Sequence, residues 1–403
     1  MQSAASTRFQ RVARAYRIAA LIGFNTILLF LLLNVPFYLA DFLYPDENEP
    51  ARLGRRVLGT YGLEHLTKGY PGMTAEEVAQ LQYETWSRLV VYEPFTEFKE
   101  PAFQGRYVNV SPHGFRVVEN QGPWPPERQN FNVFVFGGST TFGYGVADGG
   151  TIPSHLQRQL RALRPARMVC VYNFGRCAYY STQERILFQQ LLEGGLRPDL
   201  AVFVDGMNDT GHTKDGSVFS STLGAAVVQI EPARARREFA AQALPVMHYA
   251  RRLLLRSGWL TPAPDRAAAG DETTPLWPGS DDEQARRMVE RYLGNLGMAA
   301  AVGERFKVRT LFVWQPVPNF RAAPDSSRFP QEKEAIRRSP AVYERLDALR
   351  AAGQLPANFL WLADAQLGRG GDLYIDTFHY APPFADALAE AIARQIAALG
   401  WLP

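Results

Sequence analysis

The chain has 403 residues, 46% hydrophobic and 12% aromatic, enough for one large core with appendages or two ordinary domains. A net charge of +3, with no Lys/Arg run interleaved with aromatics, gives no ground for a nucleic-acid partner. The six histidines are scattered and no Cys/His cluster has metal-ligand spacing, so neither a metal nor a cofactor is implied. Cys170 and Cys177 either pair in an oxidising compartment or stay as two buried free thiols, and the second is the expectation.

In chain order, Arg8, Arg11, Arg14 and Arg17 precede an uncharged apolar run, Ile18 to Ala40, about as long as a bilayer-spanning helix requires. Its length, its lack of a polar face and the poor cleavage site at Tyr38-Leu39-Ala40 favour an uncleaved anchor over a signal peptide or a buried soluble helix. Asp41, Asp46, Glu47 and Glu49 follow it, although Arg52, Arg55 and Arg56 lie close behind. By the positive-inside rule, residues 1–17 form a cytoplasmic tail and residues 18–40 a single inner-membrane span. The bulk of the chain then faces the periplasm or the cell exterior.

Residues 41–130 read as a linker and N-terminal extension. The pattern predicts a helix over Thr74–Val90, with Thr74 as N-cap and Glu76-Glu77 in its first turn. Tyr107–Val110 reads as a short strand, and the prolines between Gln121 and Asn130 as a connection into the main domain.

From 131 to 403 the pattern alternates. Strands are expected at 132–137, 168–173, 199–205, 308–314 and 359–363, as continuous apolar runs suited to strands covered on both faces. Helices are expected at 152–164, 181–194, 282–306, 331–351 and 382–398. This is an α/β pattern, a parallel sheet between helices, with ligands expected at the carboxyl ends of the strands. An insertion at about 210–281 interrupts it, with a basic stretch from Arg234 to Leu260. It could be a lid, a surface excursion or a membrane-contacting segment.

The candidate site residues all fall at those strand ends. Ser139 follows Gly137-Gly138, where a tight turn leaves a hydroxyl exposed, and a serine hydroxyl needs a base to become a nucleophile. Asp376, three residues before His379, can accept from the imidazole Nδ1 and leave Nε2 to act as that base. Gly175 offers a backbone N–H without a Cβ in the way, and Asn208 a side-chain amide, as donors for an oxyanion. Taken singly these are a turn glycine, an Asx turn and a surface histidine beside a helix-capping aspartate. Arg176, Thr210 and Lys214 lie beside them, as substrate contacts or as ordinary loop residues.

In this order, Ser139, Gly175, Asn208 and His379 resemble the four blocks of the SGNH hydrolases, the GDSL-like superfamily, over roughly residues 130–400. The resemblance implies a three-layer flavodoxin-like sandwich, a Ser139–His379–Asp376 triad, and an oxyanion hole from the Ser139 and Gly175 N–H groups with the Asn208 side chain. The first block reads Gly-Gly-Ser-Thr where the family name has Gly-Asp-Ser-Leu. That form, with the Tyr107-Val108-Asn109 and Gly114-Phe115-Arg116 lead-in, is similar to the membrane-anchored and secreted bacterial branch. The expectation is a membrane-anchored serine esterase removing acyl groups, acetyl first, from cell-envelope or exported polysaccharide. The alternatives are an O-acyltransferase using the same triad on a glycan and a noncatalytic glycan-binding or scaffold protein.

Overall fold

A computed structural model describes residues 2–43, 62–88, 90–211, 254, 279–322 and 338–403. The backbone forms two compact units, Met1–Asn48 with Ser221–Glu272, and Glu49–Ser220 with Thr273–Pro403. In the first, α1 runs Gln2–Leu43, longer at both ends than the expected span. Its stretch Phe9–Pro36, 28 residues holding an 18-residue window of mean hydropathy 2.3, covers about 42 Å at the helical rise, long enough to cross a bilayer. Two polar side chains inside it, Thr26 and Asn34, bond to their own helix. Thr26 Oγ1 donates to Ile22 O at 2.8 Å and Asn34 Nδ2 to Phe30 O at 2.9 Å, which lowers the cost of placing them in an apolar segment. Apart from Leu254, the stretch Arg234 to Leu260 lies outside the described residues, as does the insertion from 212 to 278.

The second unit carries four short strands, β1 (Val91–Glu93), β2 (Glu97–Lys99), β3 (Phe103–Gln104) and β4 (Asn109–Val110), and is built on a five-stranded parallel sheet: β5 (Phe131–Gly137), β6 (Val169–Asn173), β7 (Leu200–Asp205), β8 (Arg309–Trp314) and β9 (Phe359–Trp361). Side by side the strands run β6-β5-β7-β8-β9, with every pairing parallel. Numbered within the sheet this is 2-1-3-4-5, the flavodoxin-like order, and its switch point lies between β5 and β7. Each expected strand is present. The expected helix at 331–351 is described from Ser339 to Ala351, its first part lying outside the described residues.

Side chains alternate between the two faces of the sheet, and each face has its own chemistry. Phe134, Phe136, Tyr172, Phe203, Phe312 and Trp314 point to one layer, with Phe136 stacked on Phe203 at 4.9 Å. Val133, Val135, Val171, Val202, Val204, Leu311 and Val313 point to the other. The aromatic face meets the helices Ser181–Glu193, Asp281–Phe306 and Ser339–Ala351, and the aliphatic face meets Ile152–Ala162 and Pro382–Ala398. Truncating one such aromatic to Ala would cost about 3–5 kcal/mol.

The segment 62–130 belongs to the same compact unit as the sheet. Its helix Ala75–Trp86 carries the expected cap, a full capping box between Thr74 and Glu77. The short strands β3 (Phe103–Gln104) and β4 (Asn109–Val110) pair antiparallel and join the main sheet through bridges from Val110 to Arg116 and from Arg116 to Asn173. The Glu84 carboxylate accepts from the N–H groups of Arg106, Tyr107 and Val108 at 2.8–3.0 Å, fixing that hairpin to the helix. Cys170 and Cys177 are both free thiols, the first buried and the second half-buried.

Candidate active site

Ser139 follows β5 and Asn208 follows β7, the two strands at the switch point. Ser139 opens a four-residue helix, Ser139–Phe142, closed by Gly143 at φ 90°. That positive φ returns the chain so that Gly143 N and Tyr144 N donate to Ser139 O at 2.8 and 3.0 Å. Gly138 is required for a different reason. A Cβ there would lie 2.1 Å from Asn208 Nδ2, so its absence lets the amide come up against the turn.

His379 stands 240 residues away in sequence, yet its Nε2 lies 2.8 Å from Ser139 Oγ. Its Nδ1 lies 2.6 Å from Asp376 Oδ2, while Asp376 Oδ1 accepts from the Phe378 and His379 N–H groups at 2.9 and 2.8 Å. A carboxylate only accepts, so Nδ1 carries the proton and Nε2 presents its lone pair to Ser139. Burial pushes the Asp376 carboxyl up, but His379 and the two backbone donors outweigh it, and the net shift is downward. Asp376 therefore stays ionised at neutral pH. Ser139 is 7% exposed and His379 2%, so the pair sits in a largely dry setting.

The walls around His379 come from residues that sequence reasoning did not single out. Tyr144 stacks on the imidazole at 5.6 Å and Trp86 meets it edge-on at 5.8 Å. Trp86 is the last residue of the N-terminal helix Ala75–Trp86, and its Nε1 donates to Gln82 Oε1 at 3.0 Å. The segment expected to be a linker and extension thus lines the site. Gln315, just after β8, accepts through Oε1 from Thr140 and Tyr380.

Of the expected oxyanion donors, Asn208 follows β7, with Nδ2 donating to Tyr179 O at 2.6 Å. Gly175 departs from the expectation. Its N–H donates to Asn173 Oδ1 at 3.0 Å, and a Cβ on it would meet Phe142 N at 2.4 Å. It serves as a packing glycine under the Ser139 turn, and its donor is already used. Three residues on, Ala178 adopts φ 55°, a left-handed conformation uncommon outside glycine, immediately before the Tyr179 carbonyl that Asn208 holds. The Ala178 N–H bonds to no other described residue. Arg176 and Thr210 are engaged structurally, Arg176 Nη1 on Tyr179 Oη at 2.9 Å and Thr210 Oγ1 on Met207 O at 2.7 Å. Lys214 lies outside the described residues.

Three carboxyls that interact with one another, Glu184, Asp205 and Asp209, are buried. Burial raises all three, and the charge of Asp205 adds to the shift on Glu184, as that of Asp209 does on Asp205. At Asp209, burial is opposed by Arg291 and by Ser181, whose Oγ donates to it at 2.6 Å.

Neither a family model nor a curated protein sequence matches the chain. Among solved structures it is similar to a carbohydrate acetylesterase from Sinorhizobium meliloti, at 16% identity and TM-score 0.35 over 66% of this chain and 99% of that one. It is also similar to a lipase/acylhydrolase from Enterococcus faecalis, at 15% identity and TM-score 0.35 over 66% and 96%. A GDSL-like lipase from Bacteroides thetaiotaomicron gives 13% identity and TM-score 0.34 over 68% and 91%. Likenesses this distant say nothing by themselves of what the chain does.

Proposed function

We propose that this protein is a serine ester hydrolase of SGNH type, held in the membrane by residues 18–40 with its sheet domain outside the cytoplasm. The observation that carries the reading is the aligned relay from Asp376 through His379 to Ser139, at 2.6 and 2.8 Å. His379 Nε2 takes the hydroxyl proton as Ser139 Oγ attacks the ester carbonyl. The negative charge that develops on the carbonyl oxygen is met by the Ser139 N–H and the Asn208 amide, with the Ala178 N–H in the place first assigned to Gly175. Collapse breaks the ester C–O bond, His379 returns the proton to the departing alcohol, and the acyl group stays on Ser139. Water, deprotonated by the same imidazole, then releases the acid. Asp376 keeps the imidazole in the Nδ1–H tautomer and balances its charge while it holds two protons.

For substrate we propose small acyl esters, acetyl first, on envelope or exported polysaccharide. A sheet domain placed outside the cytoplasm would meet such esters, and the burial of the Ser139–His379 pair suits a small acyl group. The test uses the full chain in detergent with p-nitrophenyl acetate, acetylated oligosaccharides and a fluorophosphonate probe, beside Ser139→Ala. Turnover and labelling by wild type alone support the reading. Equal labelling of the alanine variant removes Ser139 as nucleophile, and no turnover or labelling of wild type leaves a noncatalytic glycan-binding role. If an added sugar takes the acyl group in preference to water, the protein is an O-acyltransferase using the same triad.

A further inference from the structure

The lead-in Tyr107-Val108-Asn109…Gly114-Phe115-Arg116 has no part in the acyl chemistry, yet two of its polar residues, Asn109 and Arg116, converge on Asp148 beside the nucleophile's turn. Arg116 is fully buried. Its Nη1 donates to Phe142 O at 2.9 Å and Gly143 O at 2.5 Å, and its Nη2 to Val146 O at 2.6 Å. These are carbonyls at the end of the Ser139–Phe142 helix and in the loop after it, where a short helix leaves acceptors without partners. Arg116 Nε donates to Asp148 Oδ1 at 3.0 Å, and Asp148 also accepts from Asn109, through N at 3.1 Å and Nδ2 at 2.7 Å. From the other side, Asn173 Nδ2 donates to Thr141 O at 3.0 Å, its amide fixed in turn by the Gly175 N–H.

We infer that Arg116, seated by Asp148 and Asn109, is a positioning residue that holds the Ser139 turn in register with His379. This rests on the reading of Ser139 as nucleophile. The turn is a single turn long, held from elsewhere by Asn173 on Thr141 O and Gln315 on Thr140, and only the loop 143–147 joins it to Asp148, which seats Arg116. A planar guanidinium can serve three carbonyls and one carboxylate at once because its donors diverge in a fixed fork. A lysine ammonium at this site would reach one or two of them. Arg116 Nη1 bonded to Phe142 O and Gly143 O fixes the end of the turn, and Gly143 N on Ser139 O carries that constraint back to the nucleophile.

The test measures turnover per active site rather than bulk activity. Wild type, Arg116→Lys, Arg116→Gln and Asp148→Asn full-length proteins are titrated with a fluorophosphonate to count competent serines. The acetyl-ester kcat, KM and labelling rate are then read for each competent serine. Expected for both Arg116 variants is a fall in per-site kcat and labelling rate of roughly 10²-fold, as for a small misplacement of a reacting group, with KM changed far less. Asp148→Asn falls in the same direction by a smaller factor, because the guanidinium keeps its carbonyls, and it carries the test if the Arg116 variants do not fold. Unchanged per-site rates, with only the count of competent serines reduced, would make Arg116 a residue of stability alone and overturn the inference. Absence of labelling in wild type would overturn the hydrolase reading itself, a distinct result.

Discussion

Thr140 and Tyr380 meet on one atom, each donating its hydroxyl to Gln315 Oε1, at 2.8 and 2.9 Å. Thr140 directly follows Ser139 and Tyr380 directly follows His379, so a single buried amide ties the nucleophile's segment to the base's. Gln315 is in turn fixed by the sheet, since its N–H donates to Asp205 O at 2.9 Å.

Gln315→Leu keeps the volume and removes the shared acceptor. Tyr380 retains Pro316 O at 2.7 Å as an alternative, but Thr140 loses its partner at a buried position. The expected cost is about 1–3 kcal/mol of stability, the usual penalty for a buried hydroxyl left unpaired. Activity should fall with it, mainly in kcat, as the two segments lose their common reference. A variant that melts lower but turns over at the wild-type rate would mean that Gln315 supports the fold and not the alignment.

Asp376→Asn tests the tautomer argument. An amide facing Nδ1 no longer requires the proton there, and the imidazole can place it on Nε2, where it blocks the base. In the serine-protease triad the same change lowers kcat on the order of 10⁴-fold, and a fall of similar order is expected here. Stability should respond as well. Asp376 titrates below its ordinary value, so its ionisation stabilises the fold above about pH 4 and that gain is lost as pH falls through the depressed value. The melting temperature of Asp376→Asn should therefore trail wild type at pH 7 and approach it at acid pH. A constant gap across pH would count against the assigned direction.

The two glycines near the turn should fail in different ways. In Gly138→Ala the new Cβ meets the Asn208 amide at 2.1 Å, a side-chain end that can swing aside, so the expected loss is in kcat with most stability kept. In Gly175→Ala it meets Phe142 N at 2.4 Å and Thr141 C at 2.8 Å, backbone that cannot yield without moving the helix. Gly175→Ala should lower the melting temperature by several degrees. Thermal melts and kcat measured side by side separate the two, and the reverse pattern would restore Gly175 as an oxyanion donor.

The strands were legible because each is a long apolar run, and their alternating chemistry stands in the letters as well: Val133-Phe134-Val135-Phe136 puts valines and aromatics on opposite faces of β5. Ser139, Asp376 and His379 were legible because short-range spacing and strand ends carry their signal. The Gly175 assignment went astray because sequence shows that a glycine follows a strand, not where its N–H points; the Asn173 side chain two residues earlier claims that donor. Ala178 was invisible for the opposite reason. An alanine at φ 55° is held by its surroundings, and no residue type announces it. Trp86, Tyr144 and Gln315 were missed because their meaning lies in contacts across long sequence separations. The lead-in ending at Arg116 stands in the sequence as a pattern, and its three carbonyl partners give it a physical reason.

The buried acids Glu184, Asp205 and Asp209 should impose a pH dependence opposite to that of Asp376. Burial raises their folded values while the unfolded chain ionises near pH 4, so above that pH the native state holds more protons than the unfolded one. Stability from this cluster therefore falls as pH rises toward the raised values, by up to about 1.4 kcal/mol per pH unit for each retained proton. Asp205→Asn removes the middle carboxyl, the one whose charge adds to the shift on Glu184. The variant should be more stable than wild type at pH 8 and closer to it at pH 5, read as melting temperature across that range. Because Asp205 lies three residues before Asn208, loosening of the 206–211 turn at high pH should also appear as a fall in wild-type kcat that Asp205→Asn suppresses. Parallel melting curves for the two proteins from pH 5 to 8 would show that the three acids ionise without cost to the fold.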